Sequence, residues 1–383
     1  MHRQGMSIQN KKHTYNSILL FMSQIPVLLA ATDSYTIPLA VCLYSIIKHV
    51  STDNEYKFHV ITNDMSKEHQ AVLKTLEKPN HISIEFQATS QELKDTASKI
   101  NCGRFSDMTL ARLEAGKLFP QYDRMVYLDV DTVIQGDIAE IYNTPLTLNK
   151  GDANTKDTAM AMALSQGATC LKNNIHHQRI LNNQETIPVS APTDYRNAGV
   201  LLMNLAQMRE HKLGEAFIQK LCTNTLPYLD QDAINLVLQG SIALLPSTWN
   251  FLFCRLIYDM PELLTEPYSS EGVKELAELY KNRSWKLLHM IGPNPPWEPD
   301  MHHWTVYYVE SWWPVAFECP IFRDEIRELF NEVLTTQQEK LQQLYRKRRF
   351  SLFKVRRKRN RQINELLPLV STLTSIKEKY LAN

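Results

Sequence analysis

Cysteine is scarce and scattered. The chain carries six, Cys42, Cys102, Cys170, Cys222, Cys254 and Cys319, and no two form a CxxC pair. That spacing argues against a zinc cluster and a disulfide scaffold, and fits reduced thiols in a cytosolic protein. Long apolar runs are also missing: none reaches the ~18 residues that a membrane span needs. The apolar stretches 18–22 and 25–31 are interrupted by Ser23, Gln24 and Pro26. Basic residues precede them, but the second stretch reads as a buried strand rather than as the core of a secretion signal. No internal repeat is visible. Net charge is nearly absent, at +1, so the bulk balance points to no class of partner.

What is present is an ordinary globular composition, 44% hydrophobic and 22% charged over 383 residues. That is enough for one large α/β domain with an appendage. The charge is unevenly placed. Residues 346–361 hold ten Lys or Arg and no acid, so the rest of the chain is about nine charges negative.

The first half alternates strands and helices. Strands are predicted over 26–31, 56–62 and 82–86. A helix is predicted over 37–49, and a second, capped by Ser66, runs through 76. An amphipathic helix over 109–119 stops before Pro120. The strand 125–128 then delivers Asp129 and Asp131 at its carboxyl end. The pattern implies a mainly parallel sheet with helices on both faces, with ligands at the carboxyl ends of the strands. Residues 149–196 are polar and irregular. Strand character returns at 197–204, 242–245 and 285–290, and helices are expected over 213–221 and 232–238. The stretch 291–314, with five Pro and four Trp, reads as an ordered aromatic loop. Residues 321–345 read as a helix, and 362–383 as a further amphipathic helix broken near Pro368. The expected division is an extension over 1–24, a catalytic domain over 25–320 and a basic helical region over 321–383.

Asp129 and Asp131 carry the first chemical signal. Two carboxylates two residues apart at a buried strand end can grip a hard divalent cation, Mg²⁺ or Mn²⁺, that bridges to a diphosphate. Alone the signal is weak, since a chain of this length shows D-x-D about once by chance. Its setting is more specific, because apolar residues lead in and Val133 and Ile134 follow. His289 ends a second apolar strand and would complete an oxygen and imidazole ligand set. A histidine at a strand end is often structural.

Further blocks stand in a fixed order: 29–35 (LAATDSY), 110–113 (LARL), 124–131 (RMVYLDVD), 197–204 (NAGVLLMN), 230–235 (DQDAIN) and 289–297 (HMIGPNPPW). In that order they resemble glycosyltransferase family 8, and within it the bacterial lipopolysaccharide galactosyl- and glucosyltransferases. The resemblance spans about residues 25 to 297. It implies a GT-A fold, a mainly parallel mixed sheet flanked by helices, and retaining transfer of galactose or glucose from UDP-galactose or UDP-glucose. It implies Mn²⁺ (or Mg²⁺) on Asp129, Asp131 and His289, where the cation would neutralise the leaving diphosphate. Ala30, Asp33 and Ser34 would line the uridine site. Arg112, Asn197, Asp230 and Gln231 would hold the donor sugar, and Gly292 would approach the nucleotide. Gln231 and Asp230 are the catalytic candidates. An amide is a poor nucleophile, which favours front-face displacement over a covalent intermediate, with Asp230 the other candidate nucleophile. Each residue also has a plainer role available. Arg112 could be in an ion pair, Asn197 could form the turn before a strand, and Asp230 could cap a helix.

The chain departs from the family twice. Thr32 stands where a carboxylate is usual. Pro295 stands where the closing motif usually has a lysine facing the diphosphate, which leaves either Lys286 or Arg283 to substitute, or a catalytically impaired or inactive nucleotide-sugar-binding protein. The basic run 346–361, interleaved with aromatic and aliphatic residues, suits an anionic membrane surface. Basic runs also bind nucleic acid, but nothing else in the chain supports that partner. A lipid-linked or lipopolysaccharide glycan acceptor and a peripheral place on the inner face of the cytoplasmic membrane follow from the resemblance.

Overall fold

The computed structural model describes residues 23–100, 107–148, 156–165, 195–226, 228–252, 278–292, 294–302, 306–349, 351 and 353–381. The expected extension before residue 23 and most of the polar stretch 149–196 lie outside these.

Strand β1 (Ser23–Ala30) forms because its apolar residues are continuous and both its faces are covered. Val27 and Leu29 enter the core on one side of the sheet, and Leu28 enters the core on the other. Parallel to it run β2 (Asn54–Ile61) and then β3 (Ile82–Gln87), and on its other side β4 (Arg124–Leu128). The crossovers use helices Thr36–Ile47 and Lys67–Lys74. The second is capped as expected, with the Ser66 side chain accepting from the His69 N–H. Next to β4 lies β9 (Arg196–Asn204), followed by β8 (Met160–Leu164) and β10 (Ile242–Leu244), so the sheet order is β10-β8-β9-β4-β1-β2-β3. Only β9 runs against the others. A second sheet joins β11 (Phe251–Leu252), β12 (Leu287–His289) and β5 (Thr132–Ile134). A two-stranded piece pairs β6 (Thr147–Leu148) with β7 (Lys156–Asp157).

Three expectations need correction. The segment 109–119 is not one α-helix: Asp107–Glu114 is 3₁₀, followed by a single α turn, Ala115–Leu118. The aromatic stretch is not loop to its end, because Val306–Glu318 is a helix with Pro314 inside it. Trp312 and Trp313 on that helix are fully buried. Two buried tryptophans contribute roughly 4–6 kcal/mol each, more than the ~3 kcal/mol that an internal proline costs. Likewise Pro368 does not break the last helix, which runs Phe353–Leu381. Its buried Ile363, Leu366, Leu369 and Leu373 hold it together across the proline.

The Phe353–Leu381 helix packs beside helix Arg323–Arg349. Both add to the core that β1 and helix Thr36–Ile47 share. The first of the pair also grips the loop after β12. Gln337 Nε2 donates to the Pro299 carbonyl at 2.6 Å, and Lys340 Nζ lies 2.8 Å from Asp300. From the other side, Trp313 Nε1 donates to the Pro296 carbonyl at 3.1 Å. Cys42 and Cys319 are free and buried, and burial pushes their thiols up to about 12 and about 11. They are inert packing residues.

Candidate active site

The reversed direction of β9 builds the site. The carboxyl end of β4 meets the amino end of β9, so the Asp129 N–H donates to the Gly199 carbonyl at 2.8 Å. The chain then turns into β5, and β12 pairs antiparallel with it, setting His289 opposite Thr132. One ligand atom each from Asp129, Asp131 and His289 lies within 4.8 Å of the others. His289 Nε2 is 3.2 Å from Asp131 Oδ1 and 3.6 Å from Asp129 Oδ2. His289 is buried and the carboxylates are half-buried. Burial pulls the imidazole pKa down, but the charge and hydrogen bond of Asp131 and the charge of Asp129 outweigh it. The group therefore ends above its ordinary value.

Gly199 permits this packing. A Cβ there would sit 2.1 Å from His289 Cε1, 2.7 Å from its Nδ1 and 2.8 Å from Asp129 Oδ2. Asp129 is oriented from behind. Its Oδ1 accepts from Arg112 Nη2 at 2.8 Å and from the Tyr127 hydroxyl at 2.6 Å, which turns Oδ2 toward His289. Burial raises the Tyr127 pKa well above its usual value, so the phenol keeps its proton and donates.

Arg112 is buried, with its guanidinium 4.1 Å over the Tyr127 ring. Besides Asp129, it donates to the Ala198 carbonyl through Nη1 and to the Thr109 carbonyl through Nε at 3.0 Å. Its Nε also lies 3.2 Å from Asp230 Oδ2, yet that oxygen has no hydrogen-bond partner among the described residues. The Nε–H points at Thr109, so the contact with Asp230 is Coulombic only. Burial pushes the Asp230 carboxyl up to about 7, the charge of Asp129 adds to the rise, and Arg112 opposes both.

Gln231 and Asn197 also come together: Asn197 Nδ2 donates to Gln231 Oε1 at 2.9 Å. Asn250, just before β11, donates to Asn197 Oδ1 at 2.8 Å and contacts His289 Nδ1 at 2.9 Å through Oδ1. Nothing in the sequence marks Asn250. Asn197 stands in the block 197–204, but its partner Asn250 stands in none.

The expected uridine residues lie at the adjacent strand end. Ala30 closes β1, and Ser34 Oγ lies 3.0 Å from Thr32 Oγ1. Asp33 is turned toward helix Lys67–Lys74. Its Oδ1 accepts from the Ser66 N–H at 3.0 Å and meets His69 Nδ1 at 2.7 Å, and both interactions hold its carboxyl below the usual range. Tyr35 spans from this turn to the loop after β12, edge-on to Trp297 at 6.2 Å. In that loop Gly292 has φ 109°, which a side chain rarely adopts.

Neither proposed substitute cation reaches this group. Lys286 pairs with Glu140 at the far end of β12, about 10 Å along the strand from His289. Arg283 pairs with Glu310 at 2.9 Å.

Residues 26–300 match the family model for glycosyl transferase family 8, and the chain belongs to that family. Among curated proteins it is 25% identical to a lipopolysaccharide 1,2-glucosyltransferase of Escherichia coli K12, over 53% of this chain and 51% of that protein. It is 23% identical to a lipopolysaccharide 1,3-galactosyltransferase of Salmonella typhimurium, over 67% and 66%. Among solved structures, the galactosyltransferase LgtC, in complex with donor and acceptor sugar analogues, superposes with a TM-score of 0.60 at 22% identity. That match covers 80% of this chain and all of LgtC. The fold is therefore GT-A, and glycosyl transfer by a GT-A enzyme uses a nucleotide sugar.

Proposed function

We propose that this chain is a retaining hexosyltransferase that moves galactose or glucose from a UDP-sugar to a lipopolysaccharide or other lipid-linked glycan. The carrying observation is the Asp129, Asp131 and His289 cluster at the carboxyl end of β4, in a chain of this family. Two carboxylate oxygens and an imidazole nitrogen suit Mn²⁺ or Mg²⁺, and Gly199 leaves the room that they need. A cation held there supplies Lewis-acid neutralisation of the UDP leaving group. Arg112 and Tyr127 orient Asp129 for it. Ala30, Ser34 and the turn of Asp33 contribute the nucleoside side, and Gly292 allows the backbone to approach the diphosphate. Asp230 and Gln231, adjacent at the start of helix Leu229–Val237, flank the hexose. Gln231 Oε1 already accepts two hydrogen bonds, from Asn197 Nδ2 and the Ala198 N–H. It is no nucleophile, which favours front-face displacement.

Purified protein should release UDP from UDP-galactose or UDP-glucose only when Mn²⁺ or Mg²⁺ is present. Neither binding nor turnover of any UDP-sugar with either ion would sink this reading. A second reading, a catalytically impaired sugar-nucleotide-binding protein, is favoured by Pro295 and by the engagement of Lys286 and Arg283 elsewhere. It predicts donor binding with little UDP release, and a large gain in release for Pro295→Lys.

The C-terminal helices suggest the location. Arg346, Lys347, Arg349, Arg356, Arg357, Lys358 and Arg361 are exposed where the two helices meet, beside exposed Tyr345 and Val355. No helix among the described residues is long and apolar enough to cross a membrane. This end of the molecule fits the inner face of the cytoplasmic membrane, at about 1 kcal/mol per basic residue near an anionic surface. Cosedimentation with anionic vesicles should be lost in an Arg356→Glu, Arg357→Glu, Lys358→Glu triple variant. Retention by that variant would refute the membrane role.

A further inference from the structure

A line of buried and half-buried polar side chains runs from helix Leu229–Val237 to His289, and its direction is fixed at several points. The Gly199 N–H donates to Asn197 Oδ1 at 2.9 Å, so that atom must be the amide oxygen. The Ala198 N–H donates to Gln231 Oε1 at 3.1 Å, which fixes Gln231 in the same way. Gln231 Nε2 then donates to the Tyr195 hydroxyl at 2.9 Å, and Tyr195 donates to Asp232 Oδ1. Asp232 Oδ2 accepts from the Tyr228 N–H at 2.8 Å. In the other direction, Asn250 has only its Nδ2 to offer Asn197 Oδ1, so it presents Oδ1 to His289 Nδ1 at 2.9 Å. An acceptor at that position requires a proton on Nδ1, so Nε2, the nitrogen that faces Asp129 and Asp131, is the one whose proton a cation displaces and whose lone pair it takes.

We infer that Asn250 is a positioning residue for the metal centre: anchored through Asn197 and Gln231 to Asp232, it keeps the His289 proton on Nδ1 and presents the Nε2 lone pair to a divalent cation. The inference rests on the metal reading of Asp129, Asp131 and His289. It also gives Gln231 work that involves no bond making, as the link that transmits the direction set by Ala198 and Asp232. A ligating histidine held through its other nitrogen by an outer acceptor is the usual arrangement, and losing the acceptor weakens metal binding about 10- to 100-fold.

The test uses the full chain with ¹⁵N-labelled histidine, Mn²⁺ titrations by calorimetry, and two variants. In the wild type with saturating Mg²⁺, at about pH 9 where a free imidazole is neutral, the His289 ¹⁵N shifts should report the Nδ1–H form. Asn250→Leu keeps the volume but offers no acceptor, so it should lose that preference and bind Mn²⁺ about 10- to 100-fold more weakly. Asn250→Asp keeps an acceptor for Nδ1 but sets a second oxygen against Asn197 Oδ1. It should melt lower than the wild type while holding Mn²⁺ within a few-fold of it, a split that a merely structural role does not produce. A wild-type His289 protonated on Nε2, or Mn²⁺ affinity unchanged in Asn250→Leu, overturns the inference. A wild type that shows the Nδ1–H form yet binds no Mn²⁺ instead removes the metal reading and leaves the hydrogen-bond line standing.

Discussion

Gly199→Ala tests the packing of the cluster with one methyl group. Gly199 is not in the left-handed region of φ, where Gly240 and Gly292 lie, so alanine is compatible with the backbone there. The effect is purely steric. The new Cβ would fall 2.1 Å from His289 Cε1 and 2.8 Å from Asp129 Oδ2, where about 3.4 Å or more is comfortable. His289 must therefore move by more than about 1 Å, in an interior with no slack to absorb it. That motion stretches the 2.9 Å contact to Asn250 and swings Nε2 off the two carboxylates. Overpacking of this kind costs about 1–3 kcal/mol, or a fall of several degrees in melting temperature for a chain this size. Misplacing a metal ligand by 1 Å should weaken Mn²⁺ binding at least tenfold. Differential scanning fluorimetry with and without Mn²⁺ reads both effects. The wild type should gain stability with Mn²⁺, whereas the variant should start lower and gain little. An alanine variant that melts like the wild type and responds equally to Mn²⁺ would show that the close approach of His289 to β9 is wrong.

The remaining predictions concern charge. Arg112→Ala strands Asp129 and Asp230 without their shared cation and should cost about 3–5 kcal/mol, read by urea denaturation; a loss under 1 kcal/mol would refute the role of Arg112 as the hub of the site. The folded pKa of His289 is raised, so its contribution to stability is complete below about 6.5 and is lost as pH climbs through that raised value. Asp230, raised to about 7 from 3.8, acts in the same direction, since burial increasingly penalises its ionisation as pH rises from about 4 to 7. The metal-free protein should therefore lose stability from about pH 4 to 7 through Asp230, and above about 6.5 through His289. Mn²⁺ affinity should rise up to about tenfold per pH unit while His289 has a proton to surrender, and a pH-independent affinity would contradict this.

The parallel core was legible because it is written in local patterns. In β1, β2 and β4 the apolar residues are dense, and Ser66 caps its helix where the sequence places it. The failures at 306–318 and at Pro368 share one cause. Proline is a local breaker, whereas Trp312, Trp313, Leu369 and Leu373 are fixed by tertiary burial, which outweighs one lost hydrogen bond. Asp129, Asp131 and His289 could be picked out because each ends an apolar strand, so their meeting depends only on how strands pair. Asn250, Tyr195 and Gly199 had no such mark. Their importance lies in which atom of one amide faces which atom of the next, and sequence spacing does not encode that.

The single reversed strand connects these two levels. Had β9 run with its neighbours, its carboxyl end would have lain beside the carboxyl end of β4, and Asn197 to Gly199 would have been at the opposite edge of the sheet. Because it runs the other way, its first residues arrive beside Asp129, and their N–H groups become fixed donors to Asn197 and Gln231. Those donors cannot reverse, since a backbone amide has no alternative orientation. The direction of every side-chain hydrogen bond from Asp232 to His289 is thus inherited from the topology of the sheet. A substitution in this line should accordingly be judged by whether it preserves donor and acceptor order, ahead of size or polarity. On that criterion Asn250→Asp, which adds a charge, is the milder change at the metal, and the near-isosteric Asn250→Leu is the severe one.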